Sequence, residues 1–166
     1  SKSYKGPTGD SLGTVIPKDG GYLLAGYDSS APSGLARGWI FETDSVGEIQ
    51  WQKHYGDSWS NSFLGMTVLP EGGALAWGRV QAGYDEPDLP WVVRLDSEFE
   101  VLWESGFEHP DGTFLAEAVG LAGGDVVLAG RHPSAAGAKG WLTKRDAGGK
   151  SLWEHYLGAD GGTTTL

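Results

Sequence analysis

Three stretches of the chain share one spacing. Gly38-Trp39-Ile40-Phe41-Glu42-Thr43-Asp44 runs on to Trp51, and Pro90-Trp91-Val92-Val93-Arg94-Leu95-Asp96 runs on to Trp103. Gly140-Trp141-Leu142-Thr143-Lys144-Arg145-Asp146 runs on to Trp153. In each, an Asp follows the first Trp by five residues and a second Trp follows the Asp by seven. A fixed long period marks a repeat architecture, in which each unit is one supersecondary element that buries its faces against its neighbours.

The other parts of each repeat keep the same order. An apolar stretch opens it: Leu12–Ile16, Leu64–Leu69 and Leu115–Val119. Next come Asp19-Gly20-Gly21, Glu71-Gly72-Gly73 and Gly123-Gly124-Asp125, which supply the positive φ of a tight hairpin. Second strands end at Gly26, Gly78 and Gly130. The Trp-led third strand alternates, with Trp39, Phe41 and Thr43 on one side and Ile40 and Glu42 on the other. A turn after the Asp leads to a fourth strand at Glu48–Tyr55, Val101–Phe107 and Lys150–Tyr156. Gly47 and Gly149 suit a left-handed turn position. Phe99 stands at that place in the middle copy, so its turn is expected to take another geometry.

The spacing therefore predicts an all-β chain of four-stranded repeats, at about 7–56, 57–107 and 108–158, within one domain spanning 1–166. Residues 1–6 read as the tail of a preceding repeat and 159–166 as a flexible tail. Such a repeat has the form of a β-propeller blade, three of them here. A β-trefoil, also three four-stranded units, is the alternative. The segments that vary between copies lie between second and third strands, at Tyr27–Gly38, Arg79–Pro90 and Arg131–Gly140. Loops absorb such changes at the surface.

The box Gly20-Gly21-Tyr22-Leu23-Leu24-Ala25-Gly26 followed by Trp39 to Gly56 resembles the propeller-type repeats of bacterial secreted and cell-surface proteins. Leu102-Trp103-Glu104 and Leu152-Trp153-Glu154 are distantly similar to quinoprotein-like propeller repeats. The resemblance covers nearly the whole chain and implies fold more than activity. It implies an extracellular, cell-surface or periplasmic location.

Composition excludes some classes of function. A net charge of −10 opposes nucleic-acid or anionic-membrane partners, because holding phosphates needs clustered Lys and Arg. The absence of Cys removes disulfides and thiolate metal sites. No apolar stretch is long enough to span a bilayer. No phosphate loop, nucleophile elbow or zinc-protease motif is present, and no cofactor is expected.

The repeated Trp39, Trp51, Trp91, Trp103, Trp141 and Trp153 are expected to pack repeat on repeat. Asp44, Asp96 and Asp146 are expected to close turns onto their own backbone. None has the dense carboxylate spacing of a calcium loop. Unrepeated residues carry the functional signal. Trp59 and Asn61 in a return segment, Tyr84, Asp85 and Glu86 in the middle variable loop, and His132 in the last one are the candidate ligand-binding residues. An aromatic group with nearby acids and amides is the makings of a sugar-binding surface. The expected function is a non-catalytic binding module of an exported bacterial protein, recognising protein or glycan through its variable loops. The alternative is part of a glycan-active or quinone-dependent propeller enzyme. Propellers close with four to eight blades. Three therefore call for neighbouring repeats of a longer chain, or a homodimer completing a six-bladed ring.

Overall fold

The computed structural model describes residues 9–30, 33–56, 60–81, 83, 85–106, 113–135 and 137–157. Among them the chain forms twelve strands and no helix. β1 (Ser11–Lys18), β2 (Gly21–Asp28), β3 (Arg37–Asp44) and β4 (Ile49–Tyr55) make a first antiparallel sheet in chain order. β5 (Ser60–Val68), β6 (Ala74–Gln81), β7 (Asp88–Leu95) and β8 (Val101–Gly106) make a second. β9 (Phe114–Gly120), β10 (Val126–Ser134), β11 (Gly137–Arg145) and β12 (Ser151–Leu157) make a third. A β-trefoil needs strands of different units hydrogen-bonded into a common barrel. Among the described residues every strand pair joins strands of the same repeat, in three separate sheets. The tails at 1–6 and 159–166 lie outside the described residues.

The sheets are joined by side-chain packing. β5 lies against β1, β2 and β3, and β9 lies against β5, β6 and β7. Strand alternation sends successive side chains to opposite faces. Leu23, Ala25 and Ile40 of the first sheet thus meet Phe63, Met66, Ala76, Trp91 and Val93 of the second in one core. Leu75, Trp77 and Val92, from the other face of the second sheet, meet Leu115, Leu128 and Trp141 of the third. Trp91 and Trp141, first of their pairs, are buried and face the preceding sheet. Trp77 fits because Gly65 is its cross-strand partner, and a Cβ there would stand 2.3 Å from the indole. Ala25 faces Thr14 and Ala129 faces Glu117, so the large and small partners are exchanged in the middle sheet.

Each first strand carries a bulge, at Gly13, Leu64 and Ala116. The paired register makes Leu12, Phe63 and Leu115 equivalent, each opposite the Gly that recurs in the second strand. A bulged residue shifts every later side chain by one face, and only the paired register shows where it falls.

The three hairpins after the repeated Asp share one geometry. Asp44 Oδ1 accepts the amides of Val46 and Glu48 at 3.0 and 2.8 Å. Asp96 Oδ1 accepts those of Glu98 and Glu100, both at 2.9 Å. Asp146 Oδ1 accepts those of Gly148 and Lys150, both at 3.0 Å. The expectation of a different turn at Phe99 is therefore corrected. Phe99 takes the left-handed conformation itself, with φ of 60°, where Gly47 has 81° and Gly149 has 86°. For an L-residue that conformation costs roughly 1–2 kcal/mol. Two contacts from the first sheet offset it. The Trp51 ring packs on the Phe99 ring at 4.7 Å, and the Tyr55 hydroxyl donates to Phe99 O at 2.9 Å. Burial, with the Glu100 and Asp96 charges, pushes the Tyr55 hydroxyl above its usual range and keeps it a donor.

The third sheet repeats this docking. Trp103 Nε1 donates to Ala147 O at 2.8 Å, and its half-buried ring lies over Gly149. The second Trp of one sheet thus seats the hairpin of the next. Phe99 should separate strain from packing. Phe99→Gly relieves the backbone while losing the ring contact, and should destabilise by about 1 kcal/mol. Phe99→Ala loses the ring and keeps the strain, and should destabilise by about 2 kcal/mol. Urea unfolding measures both, and a Gly variant less stable than the Ala variant would contradict the assignment.

Candidate functional site

The variable segments are shorter than their sequence boundaries, because strands extend into them. β10 and β11 pair as far as Ser134 and Gly137, so most of Arg131–Gly140 is strand. β6 and β7 pair as far as Gln81 and Asp88. These extended ends bring residues of neighbouring sheets together.

A groove of about 430 Å³ lies between the second and third sheets at this end. Arg79 and Asp88 line one wall, Thr113 and Phe114 the other, with Leu64 and Ala116 at the base. Its cause is the bulge. At the first junction Gly13 stands at the bulge, and a Cβ there would lie 2.7 Å from Leu64 O, so β1 and β5 close together. At the second junction Leu64 holds the equivalent position, and its partly exposed side chain lines the groove.

The polar wall is an ion pair. Arg79 Nη1 donates to Asp88 Oδ2 at 2.8 Å and Nε to Ser62 Oγ at 3.2 Å. The pair thus sets a donor group and an acceptor group next to one another on the groove wall. Both partners are about half exposed, which makes the pair weak as a stabiliser. Opposite, Phe114 is partly exposed and carries Arg131 over its ring at 5.6 Å. Thr113 Oγ1 lies 3.0 Å from His132 Nδ1, and His132 meets Tyr156 edge-on.

Of the residues singled out by sequence, His132 thus stands behind the groove wall. Asp85 and Glu86 are exposed in the loop leading to Asp88, tied by Glu86 N to Gly83 O and Gln81 Nε2 to Glu86 O. Asn61 is elsewhere: it is buried, its amide donates to Ala36 O at 2.8 Å, and its side chain fills the space a Cβ would need at Gly56. Trp59 and Tyr84 lie outside the described residues. Arg79, Asp88, Thr113 and Phe114 escaped the sequence reading. Arg79 and Asp88 lie within a variable segment, whereas Thr113 and Phe114 lie beside none.

A second polar cluster sits at the corresponding end of the first sheet. Asp28 Oδ2 lies 2.7 Å from His54 Nε2 and accepts from Ser30 Oγ at 2.7 Å, while Oδ1 accepts from Ser30 N at 2.7 Å. Burial alone would raise the Asp28 carboxyl, but the Ser30 bonds and His54 outweigh it and hold it below the usual range. Serine hydrolysis needs a serine that gives its proton to histidine. Ser30 donates to the aspartate instead, so this cluster orders the loop. Among the described residues no group of three His, Cys, Asp or Glu is placed to hold a metal.

Neither a protein-family model nor a curated protein matches the chain.

The Asp28 cluster gives a pH dependence. A folded-state value below the unfolded one means that the ionised form is favoured by folding. That stability is present above the unfolded value and is lost as pH falls through the depressed folded value. Asp28→Asn should therefore be less stable than wild type at pH 6, and the gap should narrow towards pH 3. Parallel urea titrations at the two pH values check it; a gap independent of pH would contradict the assigned hydrogen bonds.

Proposed function

We propose that the chain is a non-catalytic recognition module of an exported bacterial protein, its sheets acting as β-propeller blades, and that it binds a neutral saccharide in the groove between the second and third sheets. The observation that carries this reading is the make-up of the groove. The repeated Trp and Asp residues are spent on turns and sheet packing, whereas the groove takes Asp88, Thr113 and Phe114 from positions where the other copies carry different residues.

The chemistry favours an uncharged polyol. Arg79 is already neutralised by Asp88, so the wall offers paired donor and acceptor rather than a net charge. Adjacent hydroxyls of a pyranose match such a pair, and the apolar face of the ring matches Phe114. The volume falls within the roughly 300–1,000 Å³ of small-ligand clefts. Repeated four-stranded meanders, each laid against the first strand of the next, support the blade reading. Export rests on the resemblance to secreted and surface repeats.

Screening the labelled chain on a glycan array, then titrating hits by calorimetry, tests the reading. Neutral glycans should bind, with little change between 50 and 500 mM salt, about the response of an uncharged ligand. Phe114→Ala and Arg79→Ala should each weaken binding about tenfold, equivalent to roughly 1.4 kcal/mol. Binding confined to anionic glycans, or unaffected by both substitutions, would contradict it.

A further inference from the structure

The two internal junctions follow one rule, and among the described residues the outer faces of the first and third sheets each carry one half of it. At the first junction Trp51 packs on Phe99, Lys53 Nζ donates to Glu98 O at 2.7 Å and Tyr55 to Phe99 O. At the second, Trp103 donates to Ala147 O and covers Gly149. By position, Trp153 is the third such Trp, and His155 corresponds to Lys53. No fourth sheet receives Trp153 among the described residues. His155 Nδ1 is buried without a hydrogen-bond partner. Val127, Ala129 and Leu142 of the same face are half-buried, whereas their counterparts Leu23, Ala25 and Ile40 are buried.

The opposite end shows the complementary deficit. Leu12 is 44% exposed, while its counterparts Phe63 and Leu115 are 1% and 2%. Val15 is 58% exposed, while Met66 and Ala118, which correspond to it, are each 4%. Leu24, Trp39 and Phe41 on this face are already buried. The exposed part is therefore β1, at Leu12 and Val15, together with Val46 of the Asp44–Glu48 turn, which is 69% exposed.

We propose that the third sheet of one copy docks head to tail on the first sheet of a second copy, and that a two-fold axis repeats the contact. Trp153 then covers the Asp44–Glu48 turn of the second copy with its indole N–H aimed at Ser45 O, as Trp103 is aimed at Ala147 O. Leu12 and Val15 meet Val127 and Leu142. A second copy is the fitting occupant because each end already matches a half-junction of this same chain, and reciprocal docking covers both ends at once. Closure into six sheets rests on the propeller reading; the head-to-tail contact rests on the internal junctions.

Sedimentation of the chain between 1 and 100 µM tests this, about the range in which a modest interface saturates. The expected species has twice the chain mass of 17.6 kDa. Trp153→Ala and Val15→Glu change opposite ends, and each should weaken self-association at least about tenfold. Both sites are partly exposed, so circular dichroism should show each variant folded. Mixing the two variants places both defects in one junction and leaves the other intact, so the mixture should dimerise better than either alone. A monomer at 100 µM, or a dimer indifferent to both substitutions or not rescued by mixing, overturns the proposal. Species that grow steadily with concentration would overturn closure. A monomer that still binds saccharide would leave the recognition reading standing while this one fell.

Discussion

The fold depends on how a hydrogen-bonded sheet is held to a neighbour with which it shares no strand pairing. Within each sheet the backbone groups satisfy one another, so cohesion between sheets falls mainly to side chains, with the Asn61 N to Ala36 O bond as a backbone tie at the first junction. The second Trp of each repeat solves this at the most exposed part of the next unit, its hairpin tip. An indole supplies a large apolar area and a single donor. The tip supplies a flat backbone surface and, at Ala147, a carbonyl acceptor. The repeated Asp matters to this contact because it fixes the tip's shape with two amide bonds. Trp and Asp thus recur together because one holds what the other docks against.

The middle junction shows how firmly that shape is imposed. A residue as bulky as Phe99 is held at positive φ rather than the turn changing form. Trp51 and Tyr55 both act on it from the neighbouring sheet. Electrostatics adds a smaller tie of the same kind. Arg94 donates to Gly124 O of the next sheet at 3.2 Å while paired with Glu71 of its own, whose carboxyl it holds below the usual range.

The strand order and the meander form were legible in the sequence because they follow from periodic features: the Trp–Asp–Trp interval, the Gly-Gly turns and alternation along β3. What escaped depended on pairing. The bulges at Gly13 and Leu64 are one case, since an extra residue in a strand leaves no mark until its partner is known. The turn at Phe99 was misread because propensity alone ignores the two side chains that stabilise it. Asn61 read as a loop residue but is buried beneath Gly56. The groove was invisible because its cause is a difference between Gly13 and Leu64 at a site whose equivalence only the register reveals. His132 drew notice because it lies in a variable segment, whereas Arg79 and Asp88, in another such segment, resembled ordinary surface charges.

Amide hydrogen exchange on the Trp103→Ala variant tests most directly whether the second Trp of one sheet holds the hairpin of the next. Native-state exchange reports local opening turn by turn. In the wild type the Gly149 and Lys150 amides are bonded to Asp146 O and Oδ1, and those of Phe99 and Glu100 are bonded likewise to Asp96. The account predicts that losing Trp103 speeds exchange at Gly149 and Lys150 while Phe99 and Glu100, seated by Trp51, keep their protection. Equal loss at both turns, or no loss at either, would contradict it.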